Sequence, residues 1–204
     1  MNANEPVATR KALHAVAELV MAGPQYRRSG TIRLGVTPGG FATVAEPVLR
    51  VEGVVLVAGE TRVELNGRTL RELGEVTGSG AGAPEGLYHD GSGGAPDDVV
   101  VVDAEAAGVL AEALGRGDAA LRAFAPGVTP VLWPEHFDLG ISVDEVNYGI
   151  SLGDGHLDEP YAYVGPWQPR EGEFWNAPFG AARPLSEVDD LAAFFAEGRR
   201  LASG

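Results

Sequence analysis

Apolar positions recur with a helical period at the start of the chain and with a period of two from residue 31 onward. Apolar residues from Leu13 to Val20 stand at i, i+3, i+4 and i+7, which predicts a helix that Gly23-Pro24 ends. Alternating segments bounded by glycine and proline predict short strands at 31–37, 47–51, 54–57 and 62–65. We expect these strands to form an antiparallel meander.

The middle of the chain combines a short predicted helix with one long loop. Thr69 and Glu72 have the spacing of a capping box, which predicts a helix after the Asn66-Gly67 turn. Residues 77–97, the Gly-rich loop, hold seven glycines and few apolar side chains. Because glycine raises the entropy cost of ordering, we expect this loop to be the least ordered part of the chain.

Residues on both sides of position 103 predict two further elements. The β-branched segment 99–102 predicts a buried strand, and Asp103 is a candidate N-cap for a helical segment at 104–125. Gly115 and Gly117 are expected to break that segment or to divide it into two helices.

The order of the predicted elements indicates the fold class. A C-terminal helix, which Ser186 is expected to cap, follows the last strands. We expect one domain over residues 1–204 of the α+β class, with a mainly antiparallel sheet and the N-terminal, central and C-terminal helices packed on one side or end. A chain of 204 residues can bury a substantial core without disulfides or metals.

Composition excludes several classes of protein. The chain has no cysteine, which excludes a disulfide framework, thiolate metal sites and a cysteine nucleophile. A formal net charge of −14 repels phosphate backbones, so nucleic acid is not an expected partner. His14 and Glu18 interrupt the first apolar run, unlike an export signal, and no run is long enough to span a membrane. We expect a soluble, cytoplasmic protein.

Aromatic and titratable residues concentrate between positions 132 and 175. This segment holds all three tryptophans and eight of the fifteen aromatic residues, beside two histidines and many carboxylates. Aromatic walls with a few convergent polar groups are typical of a small-molecule pocket. We predict such a pocket, with ligand and cofactor unassigned, and the candidate binding residues are Trp133, Glu135, Asn147, Tyr148, Ser151, Tyr161, Tyr163, Trp167 and Trp175.

Two alternating runs in this segment predict a β-hairpin with Asp144-Glu145 at its tip. Polar and apolar residues alternate from position 136 to 143 and again from 145 to 152. Antiparallel pairing then sets Ser142 opposite Asn147, Gly140 opposite Gly149, and Asp138 opposite Ser151. His136 and Asp138 are expected on one polar face, about 7 Å apart on the same strand, beside a shallow floor of glycine.

Two kinds of chemistry compete for His136 and Asp138. With His156 as a third ligand, they would hold a divalent metal as a histidine–carboxylate facial triad. Without a metal, they would work in acid–base catalysis, because histidine is the side chain that changes charge near neutral pH and Asp138 or Glu135 would adjust its pKa.

Other interpretations of the segment stay open. Ser151 lies in a Gly-x-Ser-x-Gly sequence, but Gly153, Gly155 and Pro160 oppose the helix that a nucleophile elbow requires. The polar face is also compatible with an ordinary solvated surface. In the rival class, exposed aromatic loops and an acidic surface dock a protein partner without catalysis.

Four pieces of the chain resemble known sequences. These are WPEHFDLGI, VNYGIS, GDGHLDEPYAYVGPW and FWNAPFGA. Together they resemble proteins of unknown function from actinomycete-type bacteria. The resemblance spans much of the chain, and it implies no activity and no catalytic residue.

Overall fold

The computed structural model describes residues 5–204 and contains one open antiparallel sheet of ten strands. The strands are β1 (Leu34–Thr37), β2 (Gly40–Thr43), β3 (Arg50–Glu52), β4 (Val55–Ala58), β5 (Thr61–Glu64), β6 (Val131–Trp133), β7 (Asp138–Val143), β8 (Val146–Ser151), β9 (Tyr161–Pro166) and β10 (Ala181–Pro184). Their order across the sheet is β10-β9-β8-β7-β6-β1-β2-β3-β4-β5. Leu34 pairs with Leu132, which joins the N-terminal strands to the C-terminal strands.

The helices complete an α+β fold, as the sequence predicts. They are α1 (Glu5–Ala15), a π-helical turn (Val16–Ala22), α2 (Gly23–Ser29), α3 (Leu70–Val76), α4 (Ala104–Phe124), a 3-10 turn (Leu185–Glu187) and α5 (Leu191–Ala202). Helix α4 crosses β1, β2, β7 and β8, and α5 packs on β8 and β9. One face of the sheet is therefore covered by helices.

The predicted hairpin is confirmed, with the predicted register. Strands β7 and β8 pair Ser142 with Asn147, Gly140 with Gly149, and Asp138 with Ser151. Asp144 and Glu145 form the tip with φ angles of 53° and 60°, as a type I′ turn requires. Because side chains alternate along a strand, the apolar residues of this hairpin face α4 and the polar residues face away.

The N-terminal helix continues through Gly23-Pro24, so the predicted end at this dipeptide is wrong. In the π-helical turn, Gly23 N–H donates to the carbonyl of Glu18, five residues earlier. Pro24 has no amide hydrogen, and the carbonyl of Leu19 accepts from Gly82 N–H at 2.9 Å. A Cβ at Gly23 would overlap the Gly82 carbonyl, so glycine is needed for this approach.

Strand β2 (residues 40–43) is a strand that the sequence pattern did not predict. Thr37 pairs with Gly40, which leaves Pro38 and Gly39 as the two turn residues between β1 and β2. Gly39 has a φ of 78°, the value that the second central residue of a type II turn needs. The strand pattern was missed because β2 begins with Gly40, and glycine is typical of turns.

The predicted strand at 99–102 is also corrected. Within this segment only Val99 forms a bridge, with Thr69. Val100 and Val102 are buried, whereas Val99 and Val101 are exposed. A run of β-branched residues does not make a strand where no neighbouring strand offers a second row of hydrogen bonds.

Helix caps agree with the sequence at two of three sites. Thr69 and Glu72 form a capping box at α3, and the side chain of Asp103 accepts from Ala106 N–H at α4. Helix α5 is capped by Asp190, and Ser186 lies in the preceding 3-10 turn, so the predicted Ser186 cap is wrong.

Helix α4 is uninterrupted, contrary to the predicted break at Gly115 and Gly117. A Cβ at Gly115 would meet nothing within 4 Å, whereas a Cβ at Gly117 would overlap the side chain of Ile150 on β8. Gly117 therefore allows the helix to lie close to the sheet.

These two glycines give a matched pair of substitutions. Gly117→Ala is expected to lower the free energy of unfolding by about 1–3 kcal/mol, because the added methyl overpacks the contact with Ile150. Gly115→Ala is expected to raise it by about 0.5–1 kcal/mol, because alanine favours the helix. Urea unfolding measures both changes, and a stabilising Gly117→Ala would contradict the proposed contact.

Candidate functional site

The polar face of β7, β8 and β9 carries aligned rows of side chains. Asp138, Ser151 and Tyr161 are register partners across the three strands, and Gly140, Gly149 and Tyr163 form the next row. Adjacent strands lie about 4.8 Å apart, so each row brings its side chains within reach of one another.

The ring of Tyr163 covers the two facing glycines. A Cβ on Gly140 would lie 2.7 Å from the Tyr163 hydroxyl, and a Cβ on Gly149 would overlap the ring. The hydroxyl donates to Oδ2 of Asp138 at 2.5 Å. The predicted glycine floor is thus filled by tyrosine, and the expectation of an open floor for a ligand is wrong.

Burial dominates the ionisation of this pair. Asp138 is half-buried. Burial raises the pKa of its carboxyl group, and the hydrogen bond from Tyr163 and the charge of His136 lower the pKa by less. Burial and the neighbouring carboxylate hold the pKa of Tyr163 well above its usual range. Tyr163 therefore acts as a hydrogen-bond donor to Asp138.

A second tyrosine–aspartate pair lies beside the first. The Tyr161 hydroxyl donates to Oδ2 of Asp154 at 2.6 Å, and the amides of His156 and Leu157 donate to Oδ1. Burial acts to raise the pKa of Asp154, but the hydrogen bonds and the His156 charge together lower it. Asp154 is thus a carboxylate whose charge is already stabilised by its own loop.

A cavity of about 930 Å³ lies between this polar face and α1. The 152–160 loop and the turn before β7 form two more of its walls. The predicted site residues that line the cavity are Glu135, His136, Asp138, Asn147, Ser151, Tyr161, Tyr163 and Trp167. Eight of the eleven predicted catalytic and binding residues therefore lie along one cavity.

His136 lines the cavity, but the strand position predicted for it is wrong. Strand β7 begins at Asp138, and His136 belongs to the turn before it. Phe137 has a φ of 54° and packs between the rings of His14 and Phe41. This left-handed residue breaks the alternation, so the His136 side chain is 65% exposed, with Nε2 3.7 Å from Oε1 of Glu135.

Two predicted aromatic residues, Tyr148 and Trp175, lie away from the cavity. Tyr148 is fully buried on the opposite face, with ring centroids 4.7 Å from Phe124 and 6.1 Å from Phe195. Trp175 packs against Phe174 at 4.8 Å. Their assignment to the pocket is wrong, because aromatic type alone does not distinguish a core residue from a binding residue.

Trp133 lies on an adjoining groove instead of the cavity. This groove has a volume of about 510 Å³ and is also lined by Arg33, whose guanidinium carbon lies 5.8 Å from the Trp133 ring. The cavity and the groove share Glu135, His136, Asp138, Asn147 and Tyr163. The polar face therefore continues beyond the cavity.

The predicted metal triad is not assembled. His156 contacts Tyr161 and Phe179 with its ring and is not among the cavity-lining residues. Within residues 5–204, no three histidine or carboxylate side chains are grouped closely enough to hold a metal ion. His136, Asp138 and His156 thus do not form the facial triad.

Ser151 lacks the setting of a nucleophile. It is buried at the end of β8, and its hydroxyl accepts from Gly153 N–H at 3.1 Å. A loop follows, as Gly153, Gly155 and Pro160 indicate, so the strand-to-helix turn of a nucleophile elbow is missing here.

Helix α1 contributes a wall that local sequence patterns did not reveal. Arg10 is buried and donates to the carbonyl of Asp158 at 3.0 Å. Nε2 of His14 lies 2.7 Å from the carbonyl oxygen of Pro134, and burial lowers the pKa of this histidine. Arg10 and His14 are four residues apart, so they lie on the same face of the helix. This spacing is the sequence feature that could have predicted their shared wall.

The Gly-rich loop borders the cavity through Asp90, Gly91 and Ser92. It contains no helix or strand, as predicted. Glu18, buried in the π-helical turn, accepts from the backbone N–H of Ser92 at 2.7 Å and from its hydroxyl at 2.5 Å. Greater mobility of this loop stays a prediction.

Comparisons with known proteins found no match and assign no function to the site. The chain matches no protein-family model, and no similar protein was found among characterised proteins or solved structures. Within residues 5–204, none of the helices has the length and apolar character needed to cross a membrane.

The ionisation of Asp138 predicts a pH-dependent effect on stability. Its raised pKa means that the ionised carboxyl opposes folding at neutral pH, and this cost vanishes below about pH 4, where the group is protonated in both states. Asp138→Asn is expected to raise the free energy of unfolding at neutral pH, on the order of 1 kcal/mol.

Urea unfolding between pH 4 and 8 measures this effect. Glu60→Gln, an equivalent charge removal in the exposed turn between β4 and β5, serves as the control. A destabilising Asp138→Asn at every pH would show that the hydrogen bond from Tyr163 outweighs the cost of burial.

Proposed function

We propose that this protein binds a small organic molecule in the cavity between α1 and the polar face of β7, β8 and β9. The observation that carries the proposal is one concave space of about 930 Å³, lined by aromatic side chains and the Asp138–Tyr163 pair. Ligand sites typically measure about 300–1,000 Å³ and combine apolar walls with a few oriented polar groups. The cysteine-free chain suits a reducing cytoplasm.

The cavity supports this function better than a protein-docking role does. Trp167 and Phe179 are 59% and 41% exposed, and both line the cavity instead of a flat patch. A docking surface would be flatter and more extended. Protein interaction through the aromatic loops is therefore the second proposal.

One observation favours acid–base catalysis at this site as well. The pKa of Asp138 is raised in a cleft that also holds His136, and perturbed ionisation of this kind is typical of catalytic groups. We infer that Asp138 would exchange a proton with the ligand, with Tyr163 orienting its carboxyl group.

A fragment screen read by NMR tests the binding proposal. Fragments are expected to shift the indole N–H signal of Trp167, which lies at the cavity, and not that of Trp175, which lies outside it. His136→Ala is expected to weaken the hits at least tenfold, about 1.4 kcal/mol. Because His136 is largely exposed, stability should change by less than about 0.5 kcal/mol.

His89→Ala is the matched control, since His89 is exposed and does not line the cavity. It should alter neither affinity nor stability. Hits that shift only Trp175, or no hits at all, would contradict the binding proposal. A His136→Ala variant that loses several kcal/mol of stability and keeps its affinity would make His136 a structural residue.

A further inference from the structure

Negative charge predominates among the side chains that line the cavity. The acids are Asp90, Glu135, Asp138, Asp154 and Asp158, and the bases other than histidine are Arg10 and Lys11. Arg10 already donates to the carbonyl of Asp158, and Lys11 is exposed. The cavity therefore presents an unbalanced negative potential to a ligand.

Asp138 has no cationic partner within 4.0 Å in the described chain, and the charge of His136 acts on it only from a greater distance. No lysine, arginine or histidine nitrogen of residues 5–204 is paired with it within 4.0 Å, and its side-chain hydrogen-bond donor is the neutral hydroxyl of Tyr163. A carboxylate in a partly desolvated site is costly without an opposite charge. A ligand can supply that charge.

Aromatic side chains surround the same space. The rings of Tyr161 and Phe179 stack with centroids 6.4 Å apart, and Trp167 lines the same cavity. Aromatic faces attract organic cations as well as apolar groups, and tryptophan does so most strongly. The acidic and aromatic side chains together favour a ligand that combines positive charge with an apolar body.

We propose that the cavity binds a small organic ammonium ion, with its charged group at Asp138 and its apolar part against Phe179 and Trp167. This inference rests on the proposed function and specifies its ligand class. An anion of the same shape would meet five acidic side chains against only Lys11 and Arg10, and Arg10 is already bonded to the Asp158 carbonyl.

Three probes of similar shape test the charge preference. They are 2-phenylethylamine, 2-phenylethanol and 3-phenylpropionate, which are cationic, neutral and anionic at neutral pH. Titrations are followed by NMR at the Trp167 indole. The amine is expected to bind at least tenfold more tightly than the alcohol, and the propionate more weakly than either.

Substitution of the carboxylate separates charge from shape. Asp138→Asn keeps an acceptor for Tyr163 and is expected to weaken the amine at least tenfold, while the alcohol changes by less than about twofold. Glu60→Gln removes a charge from the turn between β4 and β5, at the far end of the sheet, and should change neither probe.

The outcomes distinguish this inference from the proposed function. Equal affinities of all three probes at Trp167, or an Asp138→Asn variant that keeps the amine preference, overturn the ammonium proposal and leave small-molecule binding intact. No response of Trp167 to any probe also overturns it, and the fragment screen then decides separately whether the cavity binds other molecules. Should Asp138→Asn not fold, the wild-type comparison of the three probes still decides the charge preference.

Discussion

The packing of Tyr163 over Gly140 and Gly149 is the contact on which the geometry of the site depends. Without side chains on those two strand positions, the ring lies against the sheet and its hydroxyl reaches Asp138. Burial then raises the pKa of this carboxyl group, whereas hydrogen bonds from its own loop and from Tyr161 help to lower the pKa of Asp154. The aspartates of the two neighbouring tyrosine–aspartate pairs thus have pKa values shifted in opposite directions.

The opposite wall depends on the N-terminal helix and its π-helical turn. That turn carries buried Glu18 towards Ser92 and leaves the Leu19 carbonyl for Gly82, so two points of the Gly-rich loop are held against the helix. The helix face one turn earlier carries His14, which contacts the backbone of Pro134. Helix, loop and sheet therefore each border the cavity. Single π-helical turns are often found at functional sites.

Local periodicity predicted the fold class and the β7–β8 register, because alternation and a two-residue tip constrain a hairpin strongly. The alternating pattern gave a wrong position for His136, because Phe137 has a left-handed backbone conformation and β7 begins only at Asp138. It also showed that Tyr148 lies on the apolar face, yet its aromatic type suggested a pocket residue. His14 and Pro134 are 120 positions apart in the sequence, and a local pattern cannot predict a contact between residues so far apart.

The most direct test of this account is an NMR titration of the Asp138 carboxyl carbon in the wild type and in Tyr163→Phe. The account predicts a wild-type pKa above the ordinary aspartate range, because burial dominates. In Tyr163→Phe the ring still covers the glycines but the donor is lost, so the pKa should rise further. An ordinary pKa that is the same in both proteins would contradict a half-buried Asp138 that accepts a hydrogen bond from Tyr163.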